Sequence, residues 1–235
     1  MIECSIVIPC YNEENRLLES LEKIISFFKK ELGKNNYEII VVDDGSNDKT
    51  REIAKKFKVR LNKKRINMGK GFSVKEGVLM SSGKEVLITD CDLSTPIYEY
   101  FKLKKHLISF DVVIGSRALR DSKVKTRYFK KLFGILSNFV ISFLFLNLNI
   151  KDTQCGFKLF KGNIARKLFE KSIIGRWGFD FEILFLVKKF NFKVKEVGVK
   201  WIEDRRSKVK LIDYPKTFLE LVKVKYFNLV GYYDD

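Results

Sequence analysis

Two aspartates one residue apart, Asp90 and Asp92, lie just after an apolar run at residues 86–88. Side chains at positions i and i+2 of an extended chain point to the same side, so both carboxylates can face one cation. Hard carboxylate oxygens suit Mg²⁺ or Mn²⁺ that is also bound to a substrate diphosphate. Because a D-x-D pair is also common in surface turns, it predicts a metal site only together with its neighbours.

Apolar runs typical of strands alternate with helical periods along the first half of the chain. This order predicts an α/β fold with a doubly wound, mostly parallel, Rossmann-like sheet. Such sheets bind ligands outside the carboxyl ends of their strands. We expect one cleft to collect the residues that close or follow the predicted strands, namely Tyr11, Asp43, Asp90, Asp92 and Arg117.

Several common kinds of site are disfavoured. No G-x-G-x-x-G follows the first strand and no G-x-x-x-x-G-K-[ST] is present, which disfavours a dehydrogenase and a P-loop enzyme. The single histidine, His106, follows two lysines on a predicted helix, so a histidine-based triad or zinc site is not expected. The four cysteines form no C-x-x-C pair and are predicted to be reduced.

The chain of 235 residues is strongly basic, with 46 Lys and Arg against 29 Asp and Glu and a net charge of +17. Such a surface attracts polyanions, which include nucleic acid, anionic membrane and phosphorylated substrates. No nucleic-acid reading motif is visible, and an acidic cluster at the strand ends would repel phosphates without a metal. We therefore expect a membrane or phosphorylated partner and no nucleic acid.

Short segments of the chain resemble the GT-A glycosyltransferases of family 2. Four of them have the order and spacing of that family: 9–13 (PCYNE), 42–46 (VDDGS), 67–71 (NMGKG) and 90–92 (DCD). Three later segments resemble its dolichyl-phosphate β-glucosyltransferase branch, near the dolichyl-phosphate mannose synthases: 115–117 (GSR), 152–158 (DTQCGFK) and 177–182 (WGFDFE). Each segment alone is weak, but the combination is specific and covers nearly the whole chain.

The resemblance implies a role for each matching position. The nucleotide-sugar site would consist of Pro9, Tyr11, Glu13, Asp43, Asp44, Gly69, Lys70 and Asp90. Asp90 would lie near the ribose and the metal, and Asp92 would be the main metal ligand. Mannose synthases of this group often have a glutamine where this chain has Ser94, which leaves a third ligand open. Asp43 and Asp44 could instead form a helix cap and a turn.

The resemblance and the charged residues of the chain together suggest catalytic and acceptor-binding residues. The catalytic residues would be Asp92, Arg117 and Asp180. The acceptor phosphate would be bound by Arg117, Arg127, Arg205 and Lys208. Two structural alternatives stay open. Asp180 could only stabilise the dipole of the helix that it begins, and the basic turn at residues 205–208 could be a solvated loop.

Residues 132–150 form a run of 19 uncharged residues after a basic stretch. As a helix the run would be about 28 Å long, just enough to span a bilayer. Its polar stripe favours an amphipathic helix in the membrane interface over a spanning helix or a core helix. Residues 214–233 are predicted to be a second surface-seeking helix. With no signal peptide and no clear spanning helix, the protein is expected to be peripheral, on the cytoplasmic face of a membrane.

Together these inferences predict a glycosyltransferase, and the resemblance implies that it inverts the anomeric centre. It would move a hexose from a nucleotide diphosphate sugar, with UDP-glucose favoured by the resemblance, to dolichyl or another polyprenyl phosphate with Mg²⁺ or Mn²⁺. Transfer of mannose or N-acetylglucosamine and a non-lipid acceptor stay open. Residues 1–120 are predicted to form the nucleotide-sugar part of a single GT-A domain, and residues 121–235 the acceptor-binding and membrane-interface part.

Overall fold

A seven-stranded sheet organises the part of the chain that the structure, a computed structural model, describes: residues 1–125, 150–204 and 213–234. Its strands are β1 (Cys4–Cys10), β2 (Tyr37–Asp43), β3 (Arg60–Lys63), β4 (Glu85–Ile88), β5 (Val112–Ser116), β7 (Lys158–Lys161) and β8 (Val194–Gly198). Their order is β3-β2-β1-β4-β7-β5-β8. A small parallel sheet pairs β6 (Lys123–Lys125) with β9 (Lys200–Ile202).

Helices follow most of the strands. They are α1 (Leu17–Leu32), α2 (Thr50–Lys55), α3 (Lys70–Leu79), α4 (Tyr100–Leu107), α5 (Gly162–Lys171), α6 (Phe179–Lys189) and α7 (Asp213–Leu229), with a 3-10 turn at Ile97–Glu99. Helix α1 shows why they form: Leu17, Leu21, Ile24 and Phe28 recur every three or four residues and are buried on one face.

Helices cover both faces of the large sheet. Ile6 and Ile8 of β1 pack in one apolar cluster with residues of α1 and α4. The intervening Val7 packs on the other face with residues of α3, α5, α6 and α7. Because successive strand residues point to opposite faces, both faces of β1 are apolar. The prediction of a doubly wound, mostly parallel α/β sheet is confirmed.

Three details of the fold were not predicted from the sequence. Strand β7 runs antiparallel to both of its neighbours, β4 and β5, inside the otherwise parallel sheet. Residues 194–201 alternate as a single strand would, but they divide at the buried Val199 between β8 and β9, which lie in different sheets. Helix α2 begins at Thr50, where the carboxylate of Asp48 accepts the Thr50 amide at 3.0 Å.

The second half of the chain completes the sheet begun by the first, since β7 and β8 pair with β4 and β5. The boundary proposed near residue 120 stays a prediction. Among the described residues, no helix is both long and apolar enough to cross a bilayer. Residues 132–149, on which the membrane-segment prediction rests, lie outside the described residues.

Candidate active site

The carboxyl edge of the sheet carries the predicted site residues. Tyr11 follows β1, Asp43 closes β2, Asp90 and Asp92 follow β4, and Arg117 follows β5. Strands β1, β2 and β4 are parallel, and β5 runs the same way because β7 is antiparallel to both β4 and β5. Their carboxyl ends therefore share one edge of the sheet. Helix α6 adds Asp180 in its first turn, and Lys70 begins α3.

Asp90 forms an ion pair with Lys70, whose Nζ lies 2.5 Å from Asp90 Oδ1. Burial alone would raise the pKa of Asp90, but the charges of Lys70, Lys158 and Arg117 hold it below its usual value. On the other side of the carboxylate lies Gly156, where an added Cβ would overlap the Asp90 oxygens. Asp90 is therefore charged and half-exposed, and Gly156 packs closely against one side of its carboxylate.

Asp92 is oriented by the backbone of its own turn. Its Oδ1 accepts the Ser94 amide at 2.8 Å, and Leu93 between them has a φ of +48°. Burial and the negative charge of Asp90 raise the pKa of Asp92. The Ser94 carbonyl accepts the Ile202 amide at 2.8 Å, which ties this turn to β9. Ser94 thus positions Asp92 through its main chain.

Asp180 is buried against a lysine that the sequence interpretation gave no role. Lys158 on β7 donates to Asp180 Oδ1 at 2.5 Å and to the Cys155 carbonyl at 2.6 Å. Only 1% of Lys158 is exposed. Burial raises the pKa of Asp180, and the charges of Lys158 and Lys70 offset part of that effect. Lys70, Asp90, Lys158 and Asp180 therefore form one electrostatic group.

Arg117 is held by Asp152. Its Nε and Nη2 donate to the two Asp152 oxygens at 2.7 Å each, and its backbone amide donates to Asp152 Oδ2 at 2.8 Å. The guanidinium also lies over the ring of Trp201, 5.5 Å from its centroid. Burial opposes the ionised form of Asp152, but Arg117 keeps the pKa of Asp152 below its usual value. The pair fixes Arg117 while 31% of the Arg117 side chain stays exposed.

We expect this pair to make stability depend on pH in acid. The folded pKa of Asp152 is lowered, so the pair stabilises the fold above the unfolded pKa of about 3.9, and this contribution is lost as pH falls through the folded value. Urea unfolding should therefore show a stability difference between wild type and Asp152→Asn that narrows as pH falls below about 4. A difference that stays constant throughout the acid range would contradict this.

The two aspartates at the end of β2 serve different neighbours. Asp43 Oδ2 accepts Arg51 Nε at 2.5 Å, and Arg51 also donates to the Lys64 carbonyl. Asp44 is buried and accepts the amides of Met68 and Gly69 at 2.9 and 2.8 Å. Asp44 therefore builds the turn that precedes Lys70, as the alternative interpretation of a turn residue describes.

That turn requires glycine at position 69. Gly69 has a φ of +111°, and an added Cβ would overlap the Gly175 carbonyl oxygen. A residue with a side chain would be strained in this conformation and blocked by the neighbouring backbone. Gly69 thus lets the chain enter α3 with Lys70 directed at Asp90.

The remaining predicted nucleotide residues lie after β1. Tyr11 is 37% exposed, Pro9 is half-buried, and Glu13 is buried in a two-bond pair with Arg16 Nε and Nη2 at 2.5 and 2.7 Å. Arg16 Nη1 lies 3.4 Å from Asp204. Tyr11 is the member of this set that offers the most surface to a ligand.

The pair Asp90 and Asp92 suits a divalent cation that arrives with a diphosphate. Asp90 already faces one positive charge, since the Lys70 ammonium lies 2.5 Å from its Oδ1. Within the described residues, no group of three or more His, Cys, Asp or Glu side chains that could hold a metal is found. A cation here would take further oxygens from a ligand, and Mg²⁺ is commonly bound by one or two carboxylates plus substrate phosphates.

The structure adds site residues that had no predicted role. They are Arg51, Asp152, Gly156, Lys158 and Trp201. The signal for Lys158 was visible, since it is a lysine inside an apolar strand. Three predicted acceptor residues, Arg127, Arg205 and Lys208, lie outside the described residues and stay predictions.

A groove of about 760 Å³ lies away from the candidate site. It extends between Glu85, the first residue of β4, and Lys161, the last residue of the antiparallel β7. Both positions belong to the opposite edge of the sheet, so the groove is not part of the candidate site.

A protein-family model matches more than half of the chain. The model of glycosyl transferase family 2 matches residues 5–169, which include Asp43, Asp90, Asp92 and Arg117. The chain belongs to glycosyl transferase family 2. This membership confirms the prediction that the protein is a glycosyltransferase.

Curated relatives match most of the chain. The chain is 37% identical over 226 residues to the dolichyl-phosphate β-glucosyltransferase of Drosophila melanogaster, covering 88% of this chain and 69% of the relative. It is 34% identical over 226 residues to that of Homo sapiens, with the same coverage. It is 36% identical over 256 residues to that of Saccharomyces cerevisiae, covering 98% and 76%.

Solved structures share the fold. Mannosyl-3-phosphoglycerate synthase from Rubrobacter xylanophilus has a TM-score of 0.71 at 16% identity, covering 98% of this chain and 75% of that one. Glucosyl-3-phosphoglycerate synthase from Mycobacterium tuberculosis, solved with Mn²⁺, UDP and phosphoglyceric acid, has a TM-score of 0.66 at 17% identity, covering 99% and 79%. At this identity the likeness concerns the fold, and it confirms the predicted GT-A-like architecture.

Proposed function

We propose that the protein transfers glucose from UDP-glucose to dolichyl phosphate, or to a related polyprenyl phosphate, with inversion at the anomeric carbon. The observation that carries this proposal is the 34–37% identity to enzymes named dolichyl-phosphate β-glucosyltransferase over 88–98% of the chain. The site supports it, because paired carboxylates and basic side chains meet at the carboxyl edge.

The proposed transfer does not require a general base to activate the acceptor. A phosphate monoester has a second pKa of about 6, so near pH 7 the acceptor is mostly a dianion and already nucleophilic. One acceptor oxygen would attack C1 while the bond from C1 to the donor diphosphate breaks, and direct displacement turns an α-linked donor into a β-linked product. Mg²⁺ or Mn²⁺ on Asp90 and Asp92 would act as a Lewis acid on the departing diphosphate.

The protein's own cations would bring two anionic substrates together. Asp152 takes Nε and Nη2 of Arg117, and a guanidinium has five N–H donors, so further donors of Arg117 can bind the acceptor phosphate. Lys70 would exchange its contact with Asp90 for the donor diphosphate. Asp180, oriented by Lys158, would accept hydrogen bonds from sugar hydroxyls.

We further propose that the protein binds the cytoplasmic face of a membrane peripherally. Helix α7 supports this, because it has an exposed apolar surface next to exposed lysines. The apolar residues are Phe218, Leu219, Val222, Tyr226 and Leu229, and the lysines are Lys216, Lys223 and Lys225. A helix of this kind suits an anionic lipid surface, where each lysine near the surface contributes about 1 kcal/mol.

A donor panel tests the proposed function. Radiolabelled UDP-glucose, UDP-N-acetylglucosamine and GDP-mannose would each be incubated with dolichyl phosphate and Mn²⁺, and label would be counted in the organic phase. We expect lipid label from UDP-glucose, abolished by EDTA. Lipid label from another donor would correct the sugar. A parallel incubation with 3-phosphoglycerate controls for a water-soluble acceptor, and label found only there would contradict the lipid acceptor.

A further inference from the structure

A short loop of residues 173–178, here named the Trp177 loop, forms one wall of the candidate donor site. Its Gly175 carbonyl accepts the amide of Phe72 in α3 at 3.0 Å. Side chains at Gly69 or Gly71 would overlap backbone oxygens of this loop. The ring of Trp177 lies 5.6 Å from Lys70 Nζ, the same atom that pairs with Asp90. The position of this loop therefore determines the surroundings of Lys70.

Two carboxylates hold the Trp177 loop by its backbone amides. Glu182 accepts the amides of Ile173 and Ile174 at 2.8 and 2.9 Å, one on each oxygen. Glu220 accepts the amide of Gly178 at 2.7 Å. The loop contains no helix or strand. Its amides therefore donate their hydrogen bonds to these carboxylates instead of to backbone carbonyls of a helix or sheet.

The C-terminal segment provides much of this support. Glu220 lies on α7, and Tyr233 follows that helix. The Tyr233 hydroxyl donates to Glu182 Oε1 at 2.6 Å, and both residues are fully buried. The neighbouring Tyr232, in contrast, is 49% exposed. A buried carboxylate that accepts three hydrogen bonds has one defined orientation, and Tyr233 supplies the third bond.

We propose that Glu220 and Tyr233 are positioning residues for the donor site: they fix the Trp177 loop against Lys70 and so pre-form the wall that receives a nucleoside diphosphate. This inference rests on the proposed function for the identity of the ligand. The same contacts link the site to α7, whose outer surface carries the exposed apolar residues. Small displacements of such a wall cost binding and rate, since losses of about 10²-fold follow from misplacements near 1 Å.

The test uses the full chain with Tyr233→Phe, Glu220→Ala and Glu220→Gln, and Tyr232→Phe as the matched control. Hydrogen exchange of the 172–178 peptide, followed by mass spectrometry, reports the loop without any substrate. We expect about tenfold faster exchange in Tyr233→Phe and Glu220→Ala, with Tyr232→Phe like wild type. Glu220→Gln should restore slow exchange, because its carbonyl oxygen can still accept the Gly178 amide.

Binding of UDP in the presence of Mn²⁺, measured by calorimetry, is the second readout. The two loosened variants should bind UDP about tenfold more weakly at a temperature where circular dichroism shows them folded. Unchanged exchange, or faster exchange with unchanged UDP affinity, would overturn the inference. If wild type did not bind UDP, the proposed donor would be wrong, and exchange would still decide whether Glu220 and Tyr233 hold the loop.

Discussion

Replacement of Lys158 by methionine should lower the free energy of unfolding by about 3–5 kcal/mol, the usual cost of removing one partner of a buried ion pair. Methionine fills a similar volume but carries no charge. The Asp180 carboxylate would lose the ammonium 2.5 Å away and stay buried near Asp90, with Lys70 left of the two lysines that offset its burial. Urea unfolding at neutral pH measures the effect, provided that the slope with denaturant is unchanged.

The same strand offers a matched control. Lys161 also pairs with an aspartate, Asp111 at 2.9 Å, but its side chain is 39% exposed. Lys161→Met should cost less than about 1 kcal/mol, because water screens an exposed pair. Adding Asp180→Asn to Lys158→Met should recover much of the lost stability, since the buried charge is then gone. Equal losses at positions 158 and 161 would show that burial of the pair is not the cause.

The carboxyl edge could be predicted because each strand ends with an abrupt change of residue type. The apolar residues of β2 and β4 give way to Asp43 and to Asp90, and such changes are local. Helix α1 was equally visible, since its apolar residues recur with the helical period. The fold class and the position of the site could be predicted because they depend on such local sequence patterns.

Pairings between distant segments could not be predicted in the same way. The apolar residues Phe157 and Leu159 mark a strand, but alternation carries neither its direction nor its neighbours. Only the fold inserts β7 antiparallel between β4 and β5 and so places Lys158 beside Asp180, 22 residues later. The same holds for Asp152, which meets Arg117 across 35 residues.

The sequence also could not distinguish the roles of two neighbouring residues of the same type. Asp43 and Asp44 are chemically identical and adjacent, yet one pairs with Arg51 and the other accepts the amides of the 68–69 turn. The roles given to individual site residues came from the resemblance to family 2, and they stay predictions until variants are measured.

Asp92→Ala should reduce sugar transfer by about 10²–10³-fold, the range found when one group that stabilises developing charge is removed. Asp92 is half-buried, oriented by the Ser94 amide, and next to a second carboxylate that is already matched by Lys70. Loss of Asp92 would leave Asp90 as the one carboxylate of the pair for a cation that must neutralise the departing diphosphate. Initial rates with the donor identified by the panel measure the loss.

Two further variants separate metal binding from general damage. Gly156→Ala keeps both aspartates but places a Cβ against the Asp90 carboxylate. Like Asp92→Ala, it should weaken Mn²⁺ binding. Electron paramagnetic resonance of free Mn²⁺ measures this affinity. Asp111→Ala removes a carboxylate just before β5, at the opposite edge of the sheet, and should transfer sugar at nearly the wild-type rate. Normal Mn²⁺ affinity in Asp92→Ala together with slow transfer would assign Asp92 to the sugar or the acceptor instead of the metal.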